Sequence, residues 1–134
     1  ADTLVFGGIR WVNWSDFAIT PRDYKLITKN SILSYENDVN TFSLGVARRL
    51  DPSLVMSFSI GYEASEGGLA SNLGPTDGRT GLTLGLRYET GNTVISGGLN
   101  YTMAGDAKTN AVIGTSDFED NDAIGVGIKV GVRF

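Results

Sequence analysis

Ala123-Ile124-Gly125-Val126-Gly127-Ile128-Lys129-Val130-Gly131-Val132-Arg133-Phe134 decides the fold. Ile124, Val126, Ile128, Val130, Val132 and Phe134 are apolar, and the residues between them are small or basic. Side chains of a strand point to alternate faces, so this period of two gives one greasy face and one polar face. A helix would scatter Lys129 and Arg133 among the valines, and each glycine would oppose it by roughly 1 kcal/mol.

The same alternation recurs upstream. Leu82, Leu84, Leu86 and Tyr88 alternate with Gly81, Thr83, Gly85, Arg87 and Glu89, while Leu54, Met56, Phe58, Ile60 and Tyr62 alternate with Val55, Ser57, Ser59, Gly61 and Glu63. Phe42, Leu44, Val46 and Leu50 share one phase, broken by Arg48, and Ile95, Leu99, Tyr101 and Met103 share another. Val5, Gly7, Ile9 and Trp11 set a face that Leu4, Phe6 and Val12 blur. The pattern predicts six antiparallel strands over 3–14, 38–50, 54–65, 79–90, 93–104 and 121–134. Asp51-Pro52-Ser53 and Thr90-Gly91-Asn92 read as tight turns, with Pro fixing φ in one and Gly supplying positive φ in the other. The joins Ser15 to Asn37, Ala64 to Arg79 and Ala104 to Asn121 are long, rich in Asp, Asn and Pro, and expected to be loops.

Composition narrows the chemistry. The 134 residues include no Cys and no His, which excludes disulfides, thiol and imidazole catalysis and the usual zinc sites. No enzymatic activity, cofactor or metal is expected. Lys and Arg number 11 against 15 Asp and Glu, a net charge of −4, and no basic run extends beyond Arg48-Arg49, so nucleic acid is not an expected partner. Glycine, at 18 residues, is about twice its usual ~7%. No apolar run reaches the ~18 residues of a transmembrane helix.

Short turns at one end and long connections at the other are the meander of an all-β, antiparallel up-and-down transmembrane β-barrel. With the turns inside, Trp11, Phe42, Tyr62 and Tyr101 fall near the outer strand ends, and Tyr88 and Phe134 near the inner ends, where aromatic girdles sit. Arg10, Arg49, Glu63, Arg87, Glu89, Lys129 and Arg133 share the polar phase. Charge facing lipid costs ~2–4 kcal/mol at mid-bilayer, so these residues are expected to face the lumen. A soluble sandwich or lipocalin-like barrel would alternate too, with its apolar residues inward. The Gly, Ser and Thr of the polar phase, the aromatics at the rims and the strand ending on Phe134 favour the membrane.

That final strand resembles the C-terminal signature by which Gram-negative outer-membrane proteins are recognised for assembly. Trp14-Ser15-Asp16-Phe17 resembles the Trp-Ser-x-Phe segment of the FadL family, outer-membrane transporters of long-chain fatty acids and aromatic hydrocarbons. The likeness continues through Leu44-Gly45-Val46, the Asp51-Pro52 turn and the remaining strands. It implies that residues 1–134 are the C-terminal portion of a larger barrel, similar to its last six strands, without the hatch or the lateral opening. The implied function is passive uptake of hydrophobic small molecules such as long-chain fatty acids. The implied setting is the outer membrane of a Gram-negative bacterium, in contact with membrane lipid and lipopolysaccharide. Six strands leave two unpaired edges, so further strands are expected from the rest of the protein or from other copies. The alternative is a structural or adhesive barrel element whose loops bind an external partner.

Between Ser15 and Asn37, the apolar Phe17, Ile19, Tyr24, Leu26, Ile27, Ile32, Leu33 and Tyr35 interleave with Arg22, Lys25 and Lys29. A greasy groove rimmed by cations suits an amphipathic acid, which makes Arg22, Lys25 and Lys29 candidate ligand-binding residues. The plainer alternative is that this stretch extends the strands or packs on neighbouring loops. Asp117, Glu119, Asp120 and Asp122 form an acidic cluster without the spacing of an EF-hand, expected to be a solvated loop.

Overall fold

The alternating segments pair with one another in the order of the chain. A computed structural model describes residues 2–70, 76–111 and 114–134. In sequence, the elements are β1 (Thr3–Val12), β2 (Ala18–Ile19), α1 (Arg22–Thr28), β3 (Leu33–Ser34), β4 (Val39–Asp51), β5 (Leu54–Glu63), β6 (Leu69–Ala70), β7 (Arg79–Thr90), β8 (Thr93–Ala104), β9 (Ala107–Ala111), β10 (Gly114–Phe118) and β11 (Asp122–Val132). The described residues are all-β apart from the short α1. A six-stranded antiparallel sheet runs β1-β4-β5-β7-β8-β11, and its strands lie within two residues of the spans predicted from the alternation.

The register lines like residues up across the sheet. Val5, Val46, Phe58, Leu84, Leu99 and Val126 form one apolar row, and Gly7, Leu44, Ile60, Leu82, Tyr101 and Ile124 the next. On the opposite face, Phe6, Gly45, Ser59, Thr83, Asn100 and Gly125 form a row, flanked by Leu4, Ala47, Ser57, Gly85, Gly98 and Gly127. A slip of one residue in any pair would mix the faces, so the pattern itself pins the register.

Burial runs opposite to that of a water-soluble sheet. In β5, Met56, Phe58, Ile60 and Tyr62 are exposed while Ser57, Ser59, Gly61 and Glu63 are half-buried. Among the described residues, Leu33 and Ala107 are the only buried hydrophobic side chains, and both lie outside the large sheet. Among the described residues, therefore, no layer covers the apolar face.

Two tight turns hold the meander at one end. The Asp51 carboxylate accepts hydrogen bonds from Ser53 N–H at 2.8 Å, Ser53 Oγ at 2.9 Å and Leu54 N–H at 3.0 Å, an Asx-type turn set against a bulge between Arg49 and Asp51. Gly91, at φ 53°, turns β7 into β8.

The long joins differ from expectation, because they are not plain loops. The first carries β2 paired with β3, and α1 between them, opened by Pro21 and closed by Lys29 at φ 60°. The second and third interlock: β9 pairs antiparallel with β10 and parallel with β6. Parts of the expected loops 64–79 and 104–121 lie outside the described residues. Such two- to five-residue strands carry too little periodicity to be read from sequence.

The interlock has a pinch point. Gly105 N–H donates to Gly78 O at 2.9 Å, and a Cβ on Gly105 would sit 1.8 Å from the backbone oxygen of Asp77. Backbone must move to admit it. Gly105→Ala is expected to destabilise the protein by ~1–3 kcal/mol, read as a lowered midpoint in chemical unfolding, while Gly127→Ala, with open space around its Cβ, is expected to change it by less than ~1 kcal/mol.

Candidate functional site

The polar face of the large sheet gathers the side chains able to meet a solute. At the turn end, Arg49, Val55, Arg87, Ser96 and Lys129 occupy one row. Glu89 lies between two guanidiniums, 3.2 Å from Arg87 and 3.0 Å from Arg133. Arg49 donates to Pro52 O at 3.2 Å, tying it to the turn. Next come three rows built of Gly, Ser, Thr, Ala and Asn with Leu4 and Phe6 at the β1 edge, and none carries a charge. Polar groups here satisfy one another: Asn100 Nδ2 donates to Thr83 Oγ1 at 2.9 Å and to Leu82 O at 3.2 Å, while Thr102 Oγ1 donates to Asn100 Oδ1 at 2.8 Å. This tract, with Thr41, Ser43, Gly61 and Gly81, borders an open cleft of about 330 Å³.

At the opposite end, Arg10, Thr41, Glu63, Arg79 and Ala104 share a row. Glu63 accepts from Thr41 Oγ1 at 2.9 Å and pairs with Arg79 at 3.4 Å. A second cleft of about 290 Å³ joins Arg10, Glu63 and Arg79 to Trp14, Tyr35, Glu36, Leu69 and Asp77. It mixes aromatic and aliphatic walls with charge of both signs.

Two carboxylates outside the long strands knit this end together. The Ser15 hydroxyl, at 2.6 Å, holds the Asp38 carboxyl below its usual range, helped by Ser15 N–H at 3.1 Å and, against slight desolvation, by Trp11 Nε1 at 3.2 Å. Burial works against the charge of Asp77, but Ser65 Oγ at 2.6 Å and the N–H groups of Glu66 and Gly67, both at 2.8 Å, outweigh it and hold that carboxyl low as well. Trp14 packs against Tyr35 and Phe17, with ring centroids 5.0 Å and 5.7 Å apart. In Trp14-Ser15-Asp16-Phe17, the aromatics thus build a cluster and the serine anchors it to the start of β4 through Asp38.

Of the residues singled out from sequence, Arg10, Arg49, Glu63, Arg87, Glu89 and Lys129 all stand on the polar-phase rows, and Arg133 reaches Glu89. Arg22, Lys25 and Lys29 stand on α1 and at its end, outside both clefts. Among the described residues α1 touches no other element, with Leu26 and Ile27 73% and 83% exposed, so the expected greasy groove is not formed there. Seven residues make only two turns, too short to bury both faces. In the acidic cluster, Asp117 lies 3.7 Å from Lys108 and Asp122 accepts from the Tyr101 hydroxyl. Sequence reasoning missed Arg79 and Asp77. Arg79 opens a strand on the polar phase and could have been found by extending the alternation one step; Asp77 acts through loop contacts that have no local signature.

Comparison with protein-family models, curated proteins and solved structures found no match.

The lowered carboxyls set a pH expectation. A group with a depressed folded pKa contributes stability above its unfolded value, near 3.9, and that contribution disappears as pH falls through the folded value. Tryptophan fluorescence should therefore hold from pH 7 to about 4 and change only on further acidification. In Asp38→Ala, with the Trp11 contact already absent, the acid change should shrink.

Proposed function

We propose that residues 1–134 form part of the wall of an outer-membrane β-barrel, and that the barrel takes up hydrophobic small molecules passively. The observation that carries this reading is the inverted burial of the inner strands β5 and β8, where Met56, Phe58, Ile60, Ile95, Leu99 and Met103 are exposed and the Gly, Ser, Thr and Asn positions between them are half-buried. In water such a face would drive aggregation; against lipid it is the stable arrangement. A soluble barrel would turn the same apolar rows inward.

Dimensions agree. Five apolar-phase rows, from Leu54-Tyr88-Ile95-Val130 to Ile9-Phe42-Tyr62-Thr80-Met103-Asp122, span four intervals of ~6.7 Å, hence ~27 Å of strand. Tilted by ~40°, that is ~20 Å of height against an apolar band of ~25 Å. No helix among the described residues is long and apolar enough to cross a membrane. Among the described residues, β1 pairs only with β4 and β11 only with β8. Unpaired backbone groups cost several kcal/mol each in hydrocarbon, so the reading needs further strands from the rest of the protein or from other copies. The FadL-like Trp14 to Phe17 segment supplies the substrate class, and the cleft joining Trp14, Tyr35 and Leu69 to Arg10 and Arg79 suits an amphipathic solute. A second reading, a barrel element whose outer loops bind a partner, is favoured by α1 alone, which presents Leu26 and Ile27 to solvent.

Three measurements test the proposal. Vesicles holding the protein and a trapped pH dye should acidify faster on addition of oleate than protein-free vesicles; equal rates would leave only the loop-binding reading. In lipid, Leu84→Arg should cost ~2–4 kcal/mol in unfolding free energy, while Arg87→Ser should be mild. A protein that stays monodisperse without detergent would overturn the membrane assignment.

A further inference from the structure

The polar face divides by charge. Its three middle rows carry none, and the row at the turn end is cationic. Within that row Arg87 and Lys129 flank Ser96, one strand to either side. Neighbouring strands lie ~4.8 Å apart, so the two Cα atoms are ~10 Å apart, a gap that both side chains can reach into from opposite sides. Glu89, Asp2 and Asp51 are the carboxylates of this end. Glu89 is held between Arg87 and Arg133, and Asp51 is occupied by the turn from Ser53 to Leu54. Asp2 meets β4 at its far edge, where its backbone oxygen accepts from Arg49 N–H. Lys129 forms no ion pair among the described residues.

The row above is floored by Gly85, Gly98 and Gly127. A Cβ on Gly127 would meet nothing within 4 Å and one on Gly98 only a backbone oxygen at 3.7 Å, while the Ser57 hydroxyl lies over Gly85. The bare backbone of Gly98 and Gly127 beside Arg87 and Lys129 leaves room for the body of a solute next to a place for its charge. We infer that Arg87, Ser96, Lys129 and Arg133 form an oxyanion-binding site at the turn end of the polar face. An oxyanion between Arg87 and Lys129 accepts from the guanidinium, the ammonium and the Ser96 hydroxyl, and Arg133 compensates Glu89 so that Arg87 keeps donors free. The inference rests on the barrel reading only in needing this face open to water.

Inorganic phosphate is the probe, because it does not partition into detergent. With the protein in non-ionic micelles at pH 7.5 and low salt, the phosphorus resonance should broaden saturably. Arg87→Gln and Lys129→Gln should each weaken binding about three- to fivefold. Arg48→Gln, the same charge change at the same end on the apolar phase, should leave it unchanged. Broadening that never saturates, or that falls equally in Arg48→Gln, would reduce the effect to general charge and overturn the site. Heat-stable β-sheet circular dichroism in every variant separates lost binding from lost folding. Phosphate binding without fatty-acid entry into vesicles would retain the site and remove the uptake reading; entry without binding would do the reverse.

Discussion

Everything in this structure depends on an apolar face that none of the described residues covers. A six-stranded sheet with one greasy side normally folds a second layer onto it, and the residues available for such a layer are spent elsewhere. The join from Ser15 to Asn37 stays at its own end of the sheet and leaves Leu26 and Ile27 exposed, while Ala107 and Thr109 are buried on β9, the middle strand of the separate β6-β9-β10 sheet. Backbone pairing and side-chain burial are therefore separate in this molecule. The hydrogen-bond ladder defines the sheet, and the hydrophobic effect is left for the surroundings to satisfy. The proposed bilayer setting resolves that separation, since lipid replaces the missing layer.

Glycine follows from the same constraint. On a polar face, small side chains cost little packing, and they let Phe6 fold over Gly45, where a Cβ would lie 2.4 Å from the ring. This explains why Phe6 breaks the alternation of β1. Its ring shields the bare backbone of the neighbouring strand, the arrangement by which aromatics compensate glycines in sheets.

Period two made the large sheet legible, because strands such as Leu54 to Tyr62 and Ile124 to Val132 repeat it without interruption and a one-residue slip would exchange the faces of every row. The polar-phase charges were legible for the same reason. What the sequence hid was built without period. Asp38 and Asp77 act through backbone N–H groups, hydroxyls and the Trp11 indole, brought from 10 to 27 residues away, and no local pattern marks such partners. Arg22, Lys25 and Lys29 looked like the rim of a groove because greasy and basic residues interleave there. The interleaving instead belongs to a two-turn helix, where residues three or four apart share a face and neighbours diverge. Period three and a half cannot be told from disorder over seven residues.

The distribution of charge along the sheet then links fold to function. Charges are absent where the polar rows are made of Gly, Ser, Thr, Ala and Asn, and they reappear at both ends in different company. At the connection end, Arg79 is matched by Glu63 and the cleft holds Glu36, Glu66 and Asp77 besides, so cations there are largely answered. At the turn end, Arg87 and Arg133 share the single carboxylate of Glu89 and Lys129 is left over. Coulomb attraction at a few ångströms is weak in bulk water and several times stronger against a low-dielectric wall. The polar rows of β5 and β8 are half-buried, whereas Arg87, Lys129 and Arg133 stand exposed at their turn end, where a solute meets them from the water side. In the proposed uptake, a solute moving along those rows from the connection end would leave a cleft holding charges of both signs, cross an uncharged tract, and meet the cations of the turn end, where Lys129 has no ion pair among the described residues.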